Sequence, residues 1–259
     1  AGAGARGPAA DRGLSPTAVL AVVIAGFLAI NAVVGSGSLI TFPVLLAAGF
    51  PPVTANVSNA LGLAFGNVSA VVGYRRELRS QLPRLAWLSL PALAGAALGA
   101  ALLLVLPQRV FATVVPVLIM LAVVLVITQP RLSRFVATDG TGAWGRWVLP
   151  IGVFATAVYG GYFGAAQGVI LVSLLAVMLS DPLQNLNALK NAIVMQVNGL
   201  AAVIFLFSGH VALEPAALLA ISSIAGGQVG ASMGRRTSPV VLRALIVVAG
   251  LATVVKLLT

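Results

Sequence analysis

Two short clusters of polar side chains interrupt an otherwise apolar sequence, and their residue types suit an anion. Their members are Asn56, Ser58 and Asn59 in the first cluster and Asn187, Lys190 and Asn191 in the second. Residues three apart in a helix share a face, which places Asn56 beside Asn59 and Asn187 beside Lys190. Amide groups donate hydrogen bonds to oxyanions, and a lysine adds a positive charge. The two clusters therefore predict a binding site for a small anion.

Each cluster follows a glycine-rich interruption in a hydrophobic segment. Glycine releases the backbone from the helical hydrogen-bond ladder, and the N-terminus of the helix that follows carries a partial positive charge. A kink used only for packing is the alternative for either interruption alone. Their occurrence at corresponding places in the two halves favours a binding role. The candidate residues are Gly35, Ser36, Gly37 and Ser38 in the first interruption and Gln167 and Gly168 in the second.

The positions of the acidic residues restrict the substrate further. All five fall in predicted loops or at the ends of predicted spans; they are Asp11, Glu77, Asp139, Asp181 and Glu214. A cationic substrate would find no counter-charge inside the spans, and a proton relay built on intramembrane carboxylates is disfavoured. Lys190 is the conspicuous cation near a span. It either offsets the charge of an anion or extends to the membrane surface as an interfacial lysine.

The composition indicates which elements position these residues. Of 259 residues, 60% are hydrophobic and 8% are charged, and the mean hydropathy is +1.09. Soluble domains carry about 25% charged residues, so a soluble enzyme is excluded. Barrel strands alternate apolar and polar residues, whereas the segment 110–128 is apolar on every face. We expect an all-α polytopic membrane protein.

The sequence contains few of the side chains that catalysis usually requires. Cysteine is absent and His210 is the one histidine, so thiolate catalysis and clustered metal ligands are excluded. We expect no catalytic residue, no metal site, no cofactor and no enzyme activity. The net charge of +10 is typical of basic cytoplasmic loops rather than of a nucleic-acid partner.

The pattern of apolar segments occurs twice along the chain. A long block at 16–49 is followed by three spans, and a second block at 147–179 is again followed by three. A constant shift of 131 residues superimposes Asn56 on Asn187 and Asn67 on Asn198. The chain therefore divides into a disordered lead-in, a first repeat, a cytoplasmic linker and a second repeat, at residues 1–13, 14–128, 129–146 and 147–259.

Loop charges orient the two repeats in the membrane. Arginines at 75–84 and at 235–243 mark cytoplasmic loops under the positive-inside rule,. The block at 147–179 must then begin and end in the cytoplasm, whereas the block at 16–49 begins and ends outside. We predict two inverted repeats, each a broken-helix hairpin plus three transmembrane helices. Secondary transporters have this architecture.

Other small and polar residues in the spans have two readings. Gly95 and Gly99 form a face of small residues that predicts close packing of helices, as do Gly226, Gly230 and Gly234,. A deeper polar layer consists of Asn67, Gln196 and Asn198. These three side chains either line a wet cavity or join neighbouring helices.

The interruptions and clusters together resemble those of a known family. The run from Gly35 to Ser38, with Pro43, then Gly49-Phe50-Pro51-Pro52 and the segment 54–59, is similar to the opening of the sulfite exporter TauE/SafE family. The segments 159–164 and 187–191 look like that family's second motif. By this resemblance the first motif maps to Gly35, Gly37, Pro43, Asn56, Ser58 and Asn59. The second maps to Gly164, Gly168, Asn187, Lys190 and Asn191.

The resemblance implies a multi-pass protein of the bacterial cytoplasmic membrane that carries sulfite, thiosulfate or an organosulfonate such as sulfoacetate. This sequence departs from the family pattern at Ser36, Ser38 and the segment 165–167, where glycines are common. The added hydroxyl and amide groups suit an oxyanion and are equally compatible with a substrate outside the family's best-known ones.

We therefore expect a secondary transporter that works by alternating access, with a passive anion channel as the alternative. A scaffold within a larger complex is a third reading. The expected partners are a small anionic substrate, the lipid bilayer, a coupling ion (proton or sodium) and a second copy in a homodimer.

Overall fold

The fold is taken from a computed structural model that describes residues 15, 19–24, 37–132, 145–233, 247, 248, 250, 251 and 254. The predicted lead-in, Gly35, Ser36 and residues 133–144 of the predicted linker lie outside the described residues. Within the described part, all regular secondary structure is helical, as the composition predicts.

Nine helices have well-defined bounds in the described part, apart from the short helical stretch 19–24. They are α1 (Ser38–Ala47), α2 (Pro52–Gly73), α3 (Arg75–Arg79), α4 (Leu82–Val105), α5 (Gln108–Leu132), α6 (Gly145–Tyr162), α7 (Gln167–Met178), α8 (Leu183–Leu206) and α9 (Leu213–Met233). By length and composition, α4, α8 and residues 108–128 of α5 can cross a membrane. Shorter apolar helices accompany them, at Ser38–Ala47, Trp147–Tyr162, Gln167–Met178 and Leu213–Gly226.

Prolines set the starts of the two helices that carry the polar clusters. Pro51 is extended, with φ −56° and ψ 148°, and Pro52 is the first residue of α2. Pro182 has nearly the same conformation, with φ −54° and ψ 141°, directly before α8. Proline suits these positions because the first helical N–H groups have no intrahelical partner.

The second hydrophobic block is broken as the sequence predicts, and residues 163–166 form the turn. Gly164 and Ala166 have positive φ angles of 76° and 58°. The hydroxyl of Tyr159 donates a hydrogen bond to the carbonyl of Ala165 at 2.5 Å. Gly152 of α6 packs against Leu174 of α7. The helices α6 and α7 therefore form an antiparallel hairpin.

The helix bounds follow the 131-residue spacing of the sequence. The starts of α2 and α8 and the starts of α4 and α9 are each 131 residues apart, as are the ends of α1 and α7. The packing has the same regularity: α2 packs on α9, and α4 packs on α8. The 131-residue shift relates α2 to α8 and α4 to α9. The contact between α2 and α9 therefore corresponds to the contact between α8 and α4. Helices α2 and α8 also pack on each other.

Small residues allow the close contact between α4 and α6. A methyl group at Gly95 would overlap the carbonyl of Phe154, and one at Gly99 would overlap the carbonyl of Val158. From the other side, Gly161 faces the carbonyl of Ala96. The predicted packing role of Gly95 and Gly99 is confirmed. In the second half, Gly226 and Gly230 lie in α9, and Gly234 lies outside the described residues.

An aromatic cluster packs beside the turn of the α6–α7 hairpin. The ring of Phe163 meets Phe42 of α1 edge-on at 5.3 Å and lies 6.1 Å from Phe111 of α5. Phe42 and Phe111 are each 1% exposed. The turn therefore lies in the protein interior, with α1 and α5 beside it.

Candidate functional site

The first polar cluster lies on α2, and each of its three side chains has a partner in another element. The Nδ2 of Asn56 donates to the carbonyl of Tyr162 at 3.0 Å. The hydroxyl of Ser58 accepts a hydrogen bond from the backbone N–H of Ala212 at 2.9 Å. The side-chain oxygen of Asn59 accepts one from the hydroxyl of Thr41. These residues thus connect α2 to α6, to the start of α9 and to α1.

The contact of Asn56 has a clear local reason. Tyr162 is the last residue of α6, and the carbonyl groups in the last turn of a helix have no intrahelical donor. A buried carbonyl without a donor is costly in an apolar interior. Asn56, which is 2% exposed, supplies that donor from α2 and so holds the hairpin turn in place.

At the first interruption, the structure describes Gly37 and Ser38. Gly37 precedes α1 with a helical conformation, φ −54° and ψ −40°. Its carbonyl accepts hydrogen bonds from the N–H groups of Ile40 and Thr41 at 3.0 and 3.2 Å. Both Gly37 and Ser38 are half-buried. Gly37 and Ser38 therefore begin α1 in the way an ordinary helix begins.

The second interruption contains an unsatisfied polar side chain. Gln167 is the first residue of α7 and is 1% exposed. Both atoms of its amide, Oε1 and Nε2, are buried without a hydrogen-bond partner among the described residues. A methyl group at Gly160 would overlap this amide, so the glycine makes room for it. Gly168 is buried next to it in the first turn of α7.

The second polar cluster lies near the start of α8. Asn187 and Lys190 are 8% and 4% exposed, and Asn191 is half-buried. Within the described part, no carboxylate oxygen lies within 4.0 Å of the Lys190 ammonium, and no hydrogen bond to it is present. Because protein surrounds Lys190, the reading as an interfacial lysine at the membrane surface is disfavoured.

The deeper layer is only partly satisfied. The Nε2 of Gln196 donates to the hydroxyl of Ser89 at 2.8 Å, whereas its Oε1 is buried without a partner in the described part. The Nδ2 of Asn67 is also buried without a hydrogen-bond partner in the described part. The Oδ1 of Asn198 lies 4.0 Å from the position that a Cβ atom would occupy if Gly164 were replaced by alanine. Gln196 therefore joins α8 to α4, and Asn198 lies beside the hairpin turn.

The structure brings some of the predicted site residues together and leaves others apart. Asn56, Gln167 and Asn198, from three different helices, all lie next to the α6–α7 turn. No hydrogen bond among the described residues connects this group with Asn187 or Lys190. The helices α7 and α8 that carry Gln167 and Lys190 do pack on each other.

Sequence reasoning missed a polar cluster between two loops. Arg84 and Asp181 form an ion pair at 2.6 Å, and Gln81 bonds to both side chains. Gln81 is 3% exposed. Loop charges placed both segments on the same side of the membrane, and that shared side is the signal that could have predicted the pair.

Together these features define a class: a helical, multi-pass membrane protein with a broken hairpin, as membrane transporters have, and with buried polar groups that lack partners among the described residues. The chain belongs to the sulfite exporter TauE/SafE family, whose family model matches residues 18–257. The family resemblance of the sequence is therefore confirmed.

Relatives with curated names are similar over almost their whole length. A "Probable membrane transporter protein ORF9" of Sinorhizobium sp is 28% identical over 92% of this chain and 90% of the relative. A "Probable membrane transporter protein" of Haemophilus influenzae is 27% identical over 92% of both chains. The "Probable membrane transporter protein YfcA" of Escherichia coli K12 is 25% identical over 91% of this chain and 86% of the relative. No solved structure matches the chain significantly.

These matches agree with the apolar helices in identifying the protein as a multi-pass membrane transporter.

Proposed function

We propose that this protein is a secondary transporter that moves a small sulfur oxyanion across the bacterial cytoplasmic membrane by alternating access. The substrate class includes sulfite, thiosulfate and organosulfonates such as sulfoacetate. The observation that carries the proposal is the burial of Lys190 without a carboxylate partner in the described part of the chain.

The charge of Lys190 favours an anion over any other substrate. An unpaired buried charge is strongly destabilising, and proteins normally pair it or change its protonation. No described acidic side chain compensates Lys190, since Asp181 is bound to Arg84 and Glu77 and Glu214 lie at helix starts. A substrate that brings one or more negative charges supplies the missing partner.

The hairpin turn supports the same substrate class through hydrogen bonding. The start of α7 lies at the turn, where the helix dipole favours negative charge, and the N–H groups of Gln167 and Val169 donate to the carbonyl groups of Gly164 and Ala166. Gln167 adds an amide donor that is buried and unpartnered in the described structure. A buried donor without an acceptor is costly, and an oxyanion in the site would satisfy it.

The arrangement of the helices supports alternating access. Asn56 near the start of α2 and Asn198 in the second half of α8 both lie at the α6–α7 turn. The other ends of the two helices also meet, because Gln81, shortly after α2, bonds to Asp181 just before α8, so α2 and α8 run in opposite directions. An antiparallel relation between α2 and α8, which occupy corresponding places in the two halves, is what inverted repeats require. Rocking of one half against the other would then expose the site alternately to each side.

Uptake of ³⁵S-labelled sulfite into proteoliposomes tests the proposal. Wild-type protein should accumulate label, Lys190→Ala should lose most of the uptake, and Asn56→Ala should reduce it. Arg75→Ala, which changes an exposed cation on α3, is the matched control and should behave like wild type. Unchanged uptake in both site variants would refute the site assignment.

The same vesicles distinguish a transporter from a passive channel. A secondary transporter accumulates sulfite above its external concentration when a proton or sodium gradient is imposed. A channel brings the two concentrations only to electrochemical equilibrium, so it shows no accumulation once the membrane potential is clamped.

A further inference from the structure

We infer that the transported species is a singly charged oxyanion that still carries one proton, such as hydrogensulfite, rather than a dianion. The inference rests on the proposed function and narrows its substrate class. Two observations at separate places on the packed helices α7 and α8 carry it: the single buried charge of Lys190 in the second turn of α8, and the unpaired donor and acceptor groups of Gln167 in the first turn of α7.

The buried charge available to a substrate is one positive unit. Lys190 is the only charged side chain that is buried in the described part of the chain. The segment 25–36, which belongs to the first hydrophobic block, contains no charged residue in its sequence. A monoanion beside Lys190 is electrically neutral, whereas a dianion would leave one negative charge uncompensated in an apolar interior, at a high cost.

The elements packed on α8 do not supply a second buried cation near Lys190. Of the elements packed on α8, α2 and α7 carry no charged residue, and α6 carries Arg146 in its first turn. The short helix α3 carries the exposed Arg75, Arg76 and Arg79 and the half-buried Glu77. In α4, Arg84 lies in the first turn and is neutralised by Asp181.

The hydrogen-bonding groups select a protonated species. The amide of Gln167 has a donor atom, Nε2, and an acceptor atom, Oε1, both buried and both unpartnered among the described residues. A fully deprotonated oxyanion offers acceptors alone, so the Oε1 of Gln167 would stay unpaired. Hydrogensulfite offers acceptor oxygens and one proton donor, which match Nε2 and Oε1 respectively.

Transport of this species would couple uptake to protons without an acidic relay. The described spans contain no carboxylate in their interior, and such groups carry protons in many transporters. Hydrogensulfite that crosses the membrane brings its own proton, which is released when the ion dissociates on the far side. One proton thus moves with each substrate ion, and the side chains need not carry it.

Two simultaneous measurements on proteoliposomes test the inference. The initial rate of ³⁵S-sulfite uptake is measured between pH 6 and pH 8.5, with total sulfite adjusted so that hydrogensulfite is constant. A pH-sensitive dye inside the vesicles records the luminal pH. The expected result is a constant rate at every pH with acidification of the lumen. Protein-free vesicles measure the passive entry of sulfur dioxide, which is subtracted.

Further measurements vary the charge of the substrate and the charges of the protein separately. Arg75→Ala, which changes an exposed cation outside the site, should show the same dependence on hydrogensulfite as wild type. Labelled thiosulfate and sulfate, which are dianions at these pH values, should enter at least about tenfold more slowly, the factor given by about 1.4 kcal/mol. Asn187→Lys, which adds a cation three residues from Lys190 on the same face, should reduce this difference.

The inference and the proposed function fail in different ways. Uptake that follows the concentration of the sulfite dianion, or thiosulfate entry as fast as sulfite entry, overturns the inference and leaves an anion transporter. Absence of sulfite uptake at every pH overturns the proposed function itself.

Discussion

The Nη1 atom of Arg84 lies 2.6 Å from the Oδ2 atom of Asp181, and this ion pair joins the start of α4 to the turn before α8. Gln81 strengthens the contact, since its Nε2 donates to Oδ1 of Asp181 at 3.0 Å. The position 131 residues after Gln81 is Ala212, whose N–H donates to Ser58 on α2. Gln81 and Ala212, which occupy corresponding positions, thus each bond to a residue of the other half of the chain.

Removal of this ion pair should weaken the contact between α4 and α8. We expect Arg84→Ala or Asp181→Ala to lower stability by about 1 kcal/mol or less, because solvent reaches both side chains and screens their attraction. The thermal midpoint in detergent measures the loss. The double variant Arg84→Asp with Asp181→Arg should recover part of it. Additive losses in the double variant would show that the two side chains do not interact.

Replacement of Lys190 by Met should increase the stability of the protein and abolish its transport activity. The substitution removes a buried charge that lacks a described partner and keeps a side chain of similar length, so the free energy of unfolding should rise by about 1–4 kcal/mol. Anion uptake should be lost in the same variant. A lower thermal midpoint for Lys190→Met would mean that Lys190 has a stabilising partner.

A methyl group at Gly160 should displace the amide of Gln167, because the two would overlap. We expect Gly160→Ala to reduce sulfite uptake at least about tenfold while the protein still inserts and folds, since overpacking typically costs about 1–3 kcal/mol. Gly199→Ala is the matched control, because a Cβ atom at Gly199 has no neighbour within 4 Å. Normal uptake by Gly160→Ala would remove Gln167 from the site.

Substitution at Gly99 should instead damage the fold. A Cβ atom there would overlap the carbonyl of Val158 and the backbone of Tyr162, and backbone atoms cannot move aside as a side chain can. We expect Gly99→Ala to separate α4 from α6 and to lower stability by about 1–3 kcal/mol or more. Thermal melting and the yield of monodisperse protein measure this effect, with Gly199→Ala again as the control. A melting temperature equal to that of wild type would show that the α4–α6 contact is looser than described.

Loss of the Asn56 amide should destabilise the hairpin turn. In Asn56→Leu the carbonyl of Tyr162 loses its donor from α2, which costs about 1–3 kcal/mol for a buried polar group. Limited proteolysis of the 163–166 turn and thermal melting measure the effect. Asn191→Leu, at a half-buried position on α8, is the comparison and should cost less. Equal stability of Asn56→Leu and wild type would contradict a structural role for this amide.

Local sequence features predicted much of the fold. Apolar segments longer than about 20 residues can span a membrane only as helices, and prolines and glycines mark where helices begin and break. The starts of α2 and α8 and the turn between α6 and α7 therefore follow from residues close together in the chain. The close packing at Gly95 and Gly99 was equally predictable, because small residues at that spacing pack helices in lipid, whereas the packing partner, α6, came from the structure.

The candidate site was less predictable, because the state of a polar side chain depends on partners that are distant in sequence. Asn56 and Ser58 look equivalent to Gln167 as hydrogen-bonding residues in the sequence. In the folded chain, Asn56 and Ser58 pair with the backbone of Tyr162 and Ala212, whereas Gln167 has no partner in the described structure.

The sequence by itself indicated a helical membrane protein with a pattern that occurs twice, with polar interruptions and a conspicuous cation, Lys190, near the start of a span. Composition and spacing decide this because helix formation in lipid depends on local hydrophobicity. The tertiary structure decided which polar groups have hydrogen-bond partners and which are buried without one in the described part of the chain. Hydrogen bonds between helices form only when packing brings distant residues together, and in this fold packing leaves Gln167 and Lys190 buried and without described partners.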